Sequence, residues 1–200
     1  MGSQLALRGV GARRQDGHVP SEPWLWLFLL ADMTVFGLFF GAYLWEFGSA
    51  RDAFTADANA LYVPLGFVNT LVLLTSSLFV VRAVESHRLG AFARARRYLT
   101  GTILGAGSFA VIKLGEYALE LAHGHGLTSS DFFMYYFVIT GVHLMHVGIG
   151  TSVLVAWHRS LRSGHCAFRT RWVEGVAGYW HMVDLLWLII FSLLYIGSPA

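Results

Sequence analysis

The chain is expected to fold as an all-α membrane protein with five transmembrane helices, and three observations lead there. First, its 200 residues are 56% hydrophobic and only 13% charged, more apolar surface than one water-facing core can hide. Second, five apolar runs are each long enough to cross about 30 Å of hydrocarbon, which takes roughly 20 helical residues. Third, arginines cluster in alternate connections between those runs. Helices are the only option for such runs, because open strands would leave backbone groups unpaired in lipid.

Residues 1–23 contain Gly, Arg and Gln without an apolar core segment, so they read as a cytoplasmic tail and not as a cleavable signal. One transmembrane domain then covers 24–197. Its first span, Trp24–Trp45, serves as signal anchor and carries Asp32, with Gly37 and Gly41 four apart for close helix approach. The second span is Ala60–Val81. The third, Tyr98–Leu121, carries Lys113, Glu116 and Tyr117, with Gly101 and Gly105 again four apart. The fourth, Phe132–Trp157, holds His143 and His146 with Gly148 and Gly150 below them. The fifth, Val173–Ile196, holds Glu174, Gly175, Gly178, Trp180, His181, Asp184 and Trp187 inside an otherwise apolar run. Trp24, Trp26, Trp45, Tyr98, Trp157, Trp172 and Tyr195 gather near span ends, where amphipathic rings favour the membrane interface.

Charge fixes the expected topology. Arg8, Arg13 and Arg14 precede the first span. Arg82, Arg88, Arg94, Arg96 and Arg97 lie between the second and third, and Arg159, Arg162, Arg169 and Arg171 between the fourth and fifth. The other two connections hold only Arg51, against Glu46, Asp52, Asp57, Glu120 and Asp131. Basic residues favour the cytoplasmic side, which puts the N-terminus inside and the C-terminus outside. The net charge of +2 therefore reflects topology and lipid head groups, and gives no argument for nucleic acid. Cys166 is the only cysteine, which excludes an internal disulfide and any all-thiolate iron–sulfur or zinc site.

Ionisable residues inside a bilayer are costly and usually functional. Helical rise puts Asp32 and His181 at about 12 Å above the cytoplasmic edge, Asp184 and His146 at about 17 Å, and His143 and Lys113 at about 21–22 Å. Matching depths allow cross-helix pairs. Lys113 and Glu116, His143 and His146, and His181 and Asp184 are each three apart and share a helix face. Lys113 and Glu116 are expected to form a structural ion pair. Zinc needs three or four ligands converging at about 2.0–2.3 Å, and a bis-histidine haem needs two rings facing across a gap. His143, His146 and His181 keep that idea open, but the expectation is no metal in this chain, since both His146 and His181 have a plausible carboxylate partner.

The segment Thr140-Gly141-Val142-His143-Leu144-Met145-His146-Val147-Gly148-Ile149-Gly150 resembles the fourth-helix motif of subunit III of haem–copper respiratory oxidases. Glu174, followed by Tyr179-Trp180-His181-Met182-Val183-Asp184 and Trp187, resembles the last-helix signature of the same family, and Phe109, Glu116 and Tyr117 match its spacing in helix 3. The likeness runs from about Trp24 to Tyr195 and looks like the short bacterial form, which lacks the first two of seven helices. Two positions depart from the family pattern. Ala31-Asp32, ahead of Phe39-Phe40, stands where the family usually has Ser-Glu, and Lys113 stands where oxidase members usually have glutamine. Together with Phe132-Phe133-Met134-Tyr135-Tyr136-Phe137, Lys113 resembles the branch associated with bacterial nitric oxide reductases.

The resemblance implies a non-redox accessory subunit in a bacterial plasma membrane. Haem and copper, or iron, would belong to a large catalytic subunit I, with other subunits of the respiratory complex as further partners. It also implies a two-helix part (spans 1 and 2) and a three-helix part (spans 3–5) separated by a cleft that holds phospholipid. Asp32, His143, His146, Glu174, Trp180, His181, Asp184 and Trp187 would form a polar spine along that cleft, supporting assembly and steady proton and oxygen delivery in the partner. Two other readings compete: a free-standing haem-binding cytochrome, coloured by itself, and a small ion carrier, active in liposomes without a partner.

Overall fold

The computed structural model describes residues 23–162 and 168–197, with side chains from Trp26 onward. All of its elements are helical: α1 (Pro23–Ser49), α2 (Arg51–Ala58), α3 (Val63–Arg88), α4 (Phe92–Ala122), α5 (Asp131–Arg162) and α6 (Thr170–Phe191), which ends in a π-helical turn, Ser192–Ile196. Five of these helices are long and apolar enough to cross a membrane, as the sequence predicts. This is a multi-pass membrane protein. The N-terminal tail and Cys166 lie outside the described residues.

The long helices outrun the apolar runs by up to a turn or two because nothing in the flanking sequence stops them. Pro64 opens α3 from its first turn, where its missing N–H removes no bond. Gly90 (φ 70°) and Gly124 (φ 87°) end α3 and α4 in left-handed caps. Behind them Ala91 N–H donates to the Ser86 carbonyl and His125 N–H to the Glu120 carbonyl, each at 2.9 Å, as in Schellman ends. The short α2 was not expected from the sequence, since eight residues with two aspartates carry no apolar run. It holds because Phe54 is buried between the rings of Tyr43, Phe47 and Phe132, at 5.7–6.1 Å.

Packing departs from the expected division into two and three spans. α3 lies along α4 and also along α6, whereas α1 rests chiefly on α6, α5 and α2. The reason is side-chain size. A Cβ on Gly105 would sit 3.0 Å from Ser76 Cβ, and one on Gly101 would sit 2.8 Å from the Phe79 ring, so small residues bring α3 and α4 together. Gly37 and Gly41, expected to serve in the same way, meet nothing within 4 Å and face away from the bundle. Of the residues in each helix's most apolar stretch, 56% are buried in α6 but only 11% in α1. The last helix is the hub and the first is the rim.

The contrast between two glycines of α5 tests this packing. Gly150 faces Trp180, whose ring would lie 3.0 Å from an added Cβ, while Gly148 faces open space. Gly150→Val is expected to lower stability by about 1–3 kcal/mol through overpacking, and Gly148→Val to stay within about 0.5 kcal/mol. Unfolding of each variant in detergent or bicelles checks both.

Candidate functional site

The interior of the bundle is crossed by hydrogen bonds between helices, and α6 supplies most of them. Trp180 Nε1 donates to Ser76 Oγ at 3.1 Å, and Trp187 Nε1 donates to Thr70 Oγ1 at 3.1 Å, so two turns of α6 are pinned to α3. Between them His181 Nδ1 meets Ser77 Oγ at 2.5 Å. Tyr179 donates to the His146 carbonyl at 3.2 Å and ties α6 to α5. In hydrocarbon such groups have no water to fall back on, which makes each pairing a positional constraint.

The residues singled out in the sequence fall into three groups. Asp32 of α1 accepts from His146 Nε2 of α5 at 3.0 Å, and the other ring nitrogen of His146 meets the Val142 carbonyl at 2.7 Å. This contact is the main polar tie of α1 to α5, reinforced by Phe36 edge-on to the His146 ring at 5.4 Å. The depth match between Asp32 and His181 does not become a contact, because His181 turns to Ser77 instead.

At the basic end, Arg88 of α3 grips Glu174 of α6, with Nε at 3.0 Å and Nη2 at 2.7 Å from one carboxylate oxygen. That pair stands at the mouth of a crevice of about 600 Å³ between α1 and α3, floored by α6. Trp26 and Leu29 form one wall, Val81, Val84 and Glu85 the other, and Ala177, Gly178 and His181 the floor. The crevice therefore separates span 1 from span 2. It does not separate spans 1 and 2 from the rest.

The third group is the most enclosed. Lys113 is fully buried and its ammonium donates to Glu116 Oε2 at 3.1 Å, Tyr136 Oη at 2.9 Å and Tyr195 Oη at 2.6 Å. Tyr195 donates in turn to the other Glu116 oxygen at 2.5 Å. The rings of Tyr117, Tyr136, Trp187 and Tyr195 stand around the cation at 4.3–5.5 Å. Two phenol oxygens, one carboxylate and four aromatic faces replace the hydration that a lysine gives up in lipid. Tyr195 had the sequence position of an interfacial aromatic, and so had Trp157. Both are buried in the bundle, whereas Trp45 is 79% exposed.

Not every buried polar atom is matched. Both ring nitrogens of His143, both carboxyl oxygens of Asp184, the side-chain amide of Asn69 and one oxygen of Asp32 have no hydrogen-bond partner among the described residues. Ser77 lies near Asp184 as well as His181, but its bond goes to His181. His143 is packed between the Phe109 ring at 5.7 Å and the Trp187 ring at 5.3 Å. An unpaired polar group at this depth is costly, and Asn69, His143 and Asp184 share that position. Among the described residues, no group of three or more His, Cys, Asp or Glu side chains is placed to hold a metal ion. His143, His146 and His181 point to three different sets of neighbours.

Asn69, Thr70, Ser76, Ser77 and Tyr136 were not singled out from the sequence. Small hydroxyl residues are common in membrane helices, and only the opposing tryptophans, each needing an acceptor for its N–H, hinted at them.

Five apolar spans with interior polar groups tied mostly to one another define an integral membrane bundle held by interhelical hydrogen bonds. Its sequence from 24 to 198 matches the family model described as cytochrome c oxidase subunit III. It is similar to the cytochrome c oxidase subunit 3 of Thermostichus vulcanus, with 32% identity over 177 residues, 86% of this chain and 85% of that one. It is also similar to the cytochrome bo(3) ubiquinol oxidase subunit 3 of Pseudomonas aeruginosa, at 29% over 176 residues, covering 86% and 82%. A third relative is the heme-copper oxidase subunit I+III of Aeropyrum pernix, at 26% over 205 residues, 95% of this chain but 25% of that longer one. The chain belongs to the cytochrome c oxidase subunit III family.

The lysine cage gives a sharp prediction. Lys113→Met leaves Glu116 buried without its cation and is expected to cost about 3–5 kcal/mol. Pairing it with Glu116→Gln should recover much of that loss, because the uncompensated charge is gone. Unfolding free energies of the single and double variants in bicelles check the pattern.

Proposed function

We propose that the chain is the non-redox accessory subunit III of a bacterial respiratory haem–copper oxidase. In this reading it stabilises the catalytic subunit in the membrane, and that partner carries the haem and copper. The observation that carries the proposal is the family match across nearly the whole membrane-spanning region. The Aeropyrum relative supports a subunit I partner, since its name joins subunits I and III in one protein. Relatives are named for both cytochrome c and ubiquinol oxidases, which favours an oxidase over a nitric oxide reductase and leaves the donor to the partner subunits.

The basic end, with Arg82, Arg88, Arg94, Arg96 and Arg97, would face the cytoplasm, following the preference of arginine for that side. Support takes a concrete form here. The Asp32–His146 pair holds the loosely packed α1 in place, and the crevice between α1 and α3 would hold a phospholipid, with Arg88 and Glu174 at head-group level and Gly178 and His181 below them. Trp180 and Trp187 set the rotation of α6 that shapes the crevice floor, with Asp184 enclosed on the same helix. Such a lipid would keep the complex's proton and oxygen routes steady by fixing the rim helix.

Tagged purification in mild detergent tests the reading, with subunit masses and a reduced-minus-oxidised spectrum from one sample. The expected result is a large haem-bearing partner that carries all the colour, with this chain colourless once separated. Haem bands that stay with the isolated chain would overturn it. In the complex, Asp184→Asn and His181→Ala are expected to shorten turnover lifetime and reduce co-purifying lipid while leaving the initial rate close to wild type.

A further inference from the structure

Charge balance varies along the basic end. Two arginines of α3 are matched, Arg82 with Glu85 at 3.2 Å and Arg88 with Glu174 at 2.7 Å, while Arg169 and Arg171 at the start of α6 are exposed with no carboxylate partner among the described residues. On the α4/α5 side no arginine is matched. Arg94, Arg96 and Arg97 in the first two turns of α4, and Arg159 and Arg162 in the last turn of α5, are exposed, and none pairs with a carboxylate among the described residues. Neither of these helix ends carries an Asp or Glu: the nearest in sequence are Glu85 and Glu116 for α4, and Asp131 and Glu174 for α5.

His158 Nε2 is joined to Thr100 Oγ1 of α4 at 3.2 Å, so the histidine links the two helices. Arg96 lies one turn before Thr100, whose hydroxyl donates to the Arg96 carbonyl at 3.0 Å, and Arg159 and Arg162 follow His158 within about one turn of α5. Beside them Arg94 and Arg97 line a shallow depression with Phe92 at the α3–α4 turn. Like charges held together repel unless an anion joins them. Each of these cations is an arginine, whose planar fork matches phosphate oxygens two at a time. Their position at the ends of membrane-crossing helices is level with phospholipid head groups, where basic pockets between helices take anionic lipid.

We propose that the α4/α5 edge of the basic end is a binding site for the phosphate of an anionic phospholipid, held by Arg96, Arg159 and Arg162. This site is separate from the α1/α3 crevice, whose mouth is charge-matched. It does not rest on which oxidase the chain serves.

The test uses the whole complex in nanodiscs of equal phosphatidylcholine and phosphatidylglycerol, with lipids retained on the released subunit identified by native mass spectrometry. Wild type is expected to retain phosphatidylglycerol in preference to phosphatidylcholine. Combined Arg96→Gln, Arg159→Gln and Arg162→Gln substitution should abolish the preference. Arg82→Gln, which removes a guanidinium matched by Glu85, should leave it intact. The corresponding triple replacement with lysine preserves the charge that directs insertion and should weaken the preference without changing topology. No preference in wild type, or full preference in both triple variants, would overturn the proposal and leave the arginines as topology signals only. Retention of an acidic protein segment at this edge in place of lipid would overturn it as well.

Discussion

In a bilayer a polar side chain must find its partner within the protein, and in this bundle α6 is where most of them find it. Trp180, His181 and Trp187 are satisfied by hydroxyls of α3, Tyr179 by a backbone carbonyl of α5, and Tyr195 closes on the Lys113–Glu116 pair of α4. Each bond fixes both the rotation of α6 and the height of its neighbour. Apolar packing by itself fixes neither well, because lipid tails are as apolar as leucine. The arrangement explains why α6 is the most enclosed of the five spans.

The same constraint accounts for what is loose. α1 is tied by the Asp32–His146 contact, a long bond from the Tyr43 hydroxyl to the Leu193 carbonyl at 3.5 Å and several ring contacts, while its outer face with Gly37 and Gly41 stays unpacked and a crevice opens between it and α3. A subunit with a rigid hub and a rim that yields suits a supporting role: one side is fixed, and the other can adapt to lipid or to a neighbouring chain. Most of the buried polar groups serve shape here, since they pair with one another and with backbone; Asn69, His143 and Asp184 are the exceptions among the described residues.

Much of the fold was legible in the sequence. Five spans follow from length and hydropathy, and the Lys113–Glu116 contact from a spacing of three on one helix. Cross-helix partners were not legible, because they depend on how each helix is rotated, and spacing within one helix says nothing of that. Depth alone suggested Asp32 with His181, yet the rotation of α5 brings His146 to it. Tyr195 reads as an interfacial ring until the wider π-helical turn at 192–196 changes its bearing and carries its hydroxyl inward. Glycines four apart occur in α1 and α4, and only the latter face a neighbour. The short α2 was missed because its stability comes from one phenylalanine in an aromatic nest and not from its own composition. The charge imbalance at the basic end was visible in sequence as an arginine count, but which arginines meet a carboxylate needed the helices in place.

The measurement that tests the central claim most directly is a double-mutant cycle between Trp187→Phe and Thr70→Val, read as unfolding free energy by steric trapping in bicelles. If α6 is held to α3 by these bonds, the cycle should show a coupling energy of about 0.5–1.5 kcal/mol. A coupling indistinguishable from zero would mean that apolar packing alone positions the last helix and would contradict the account.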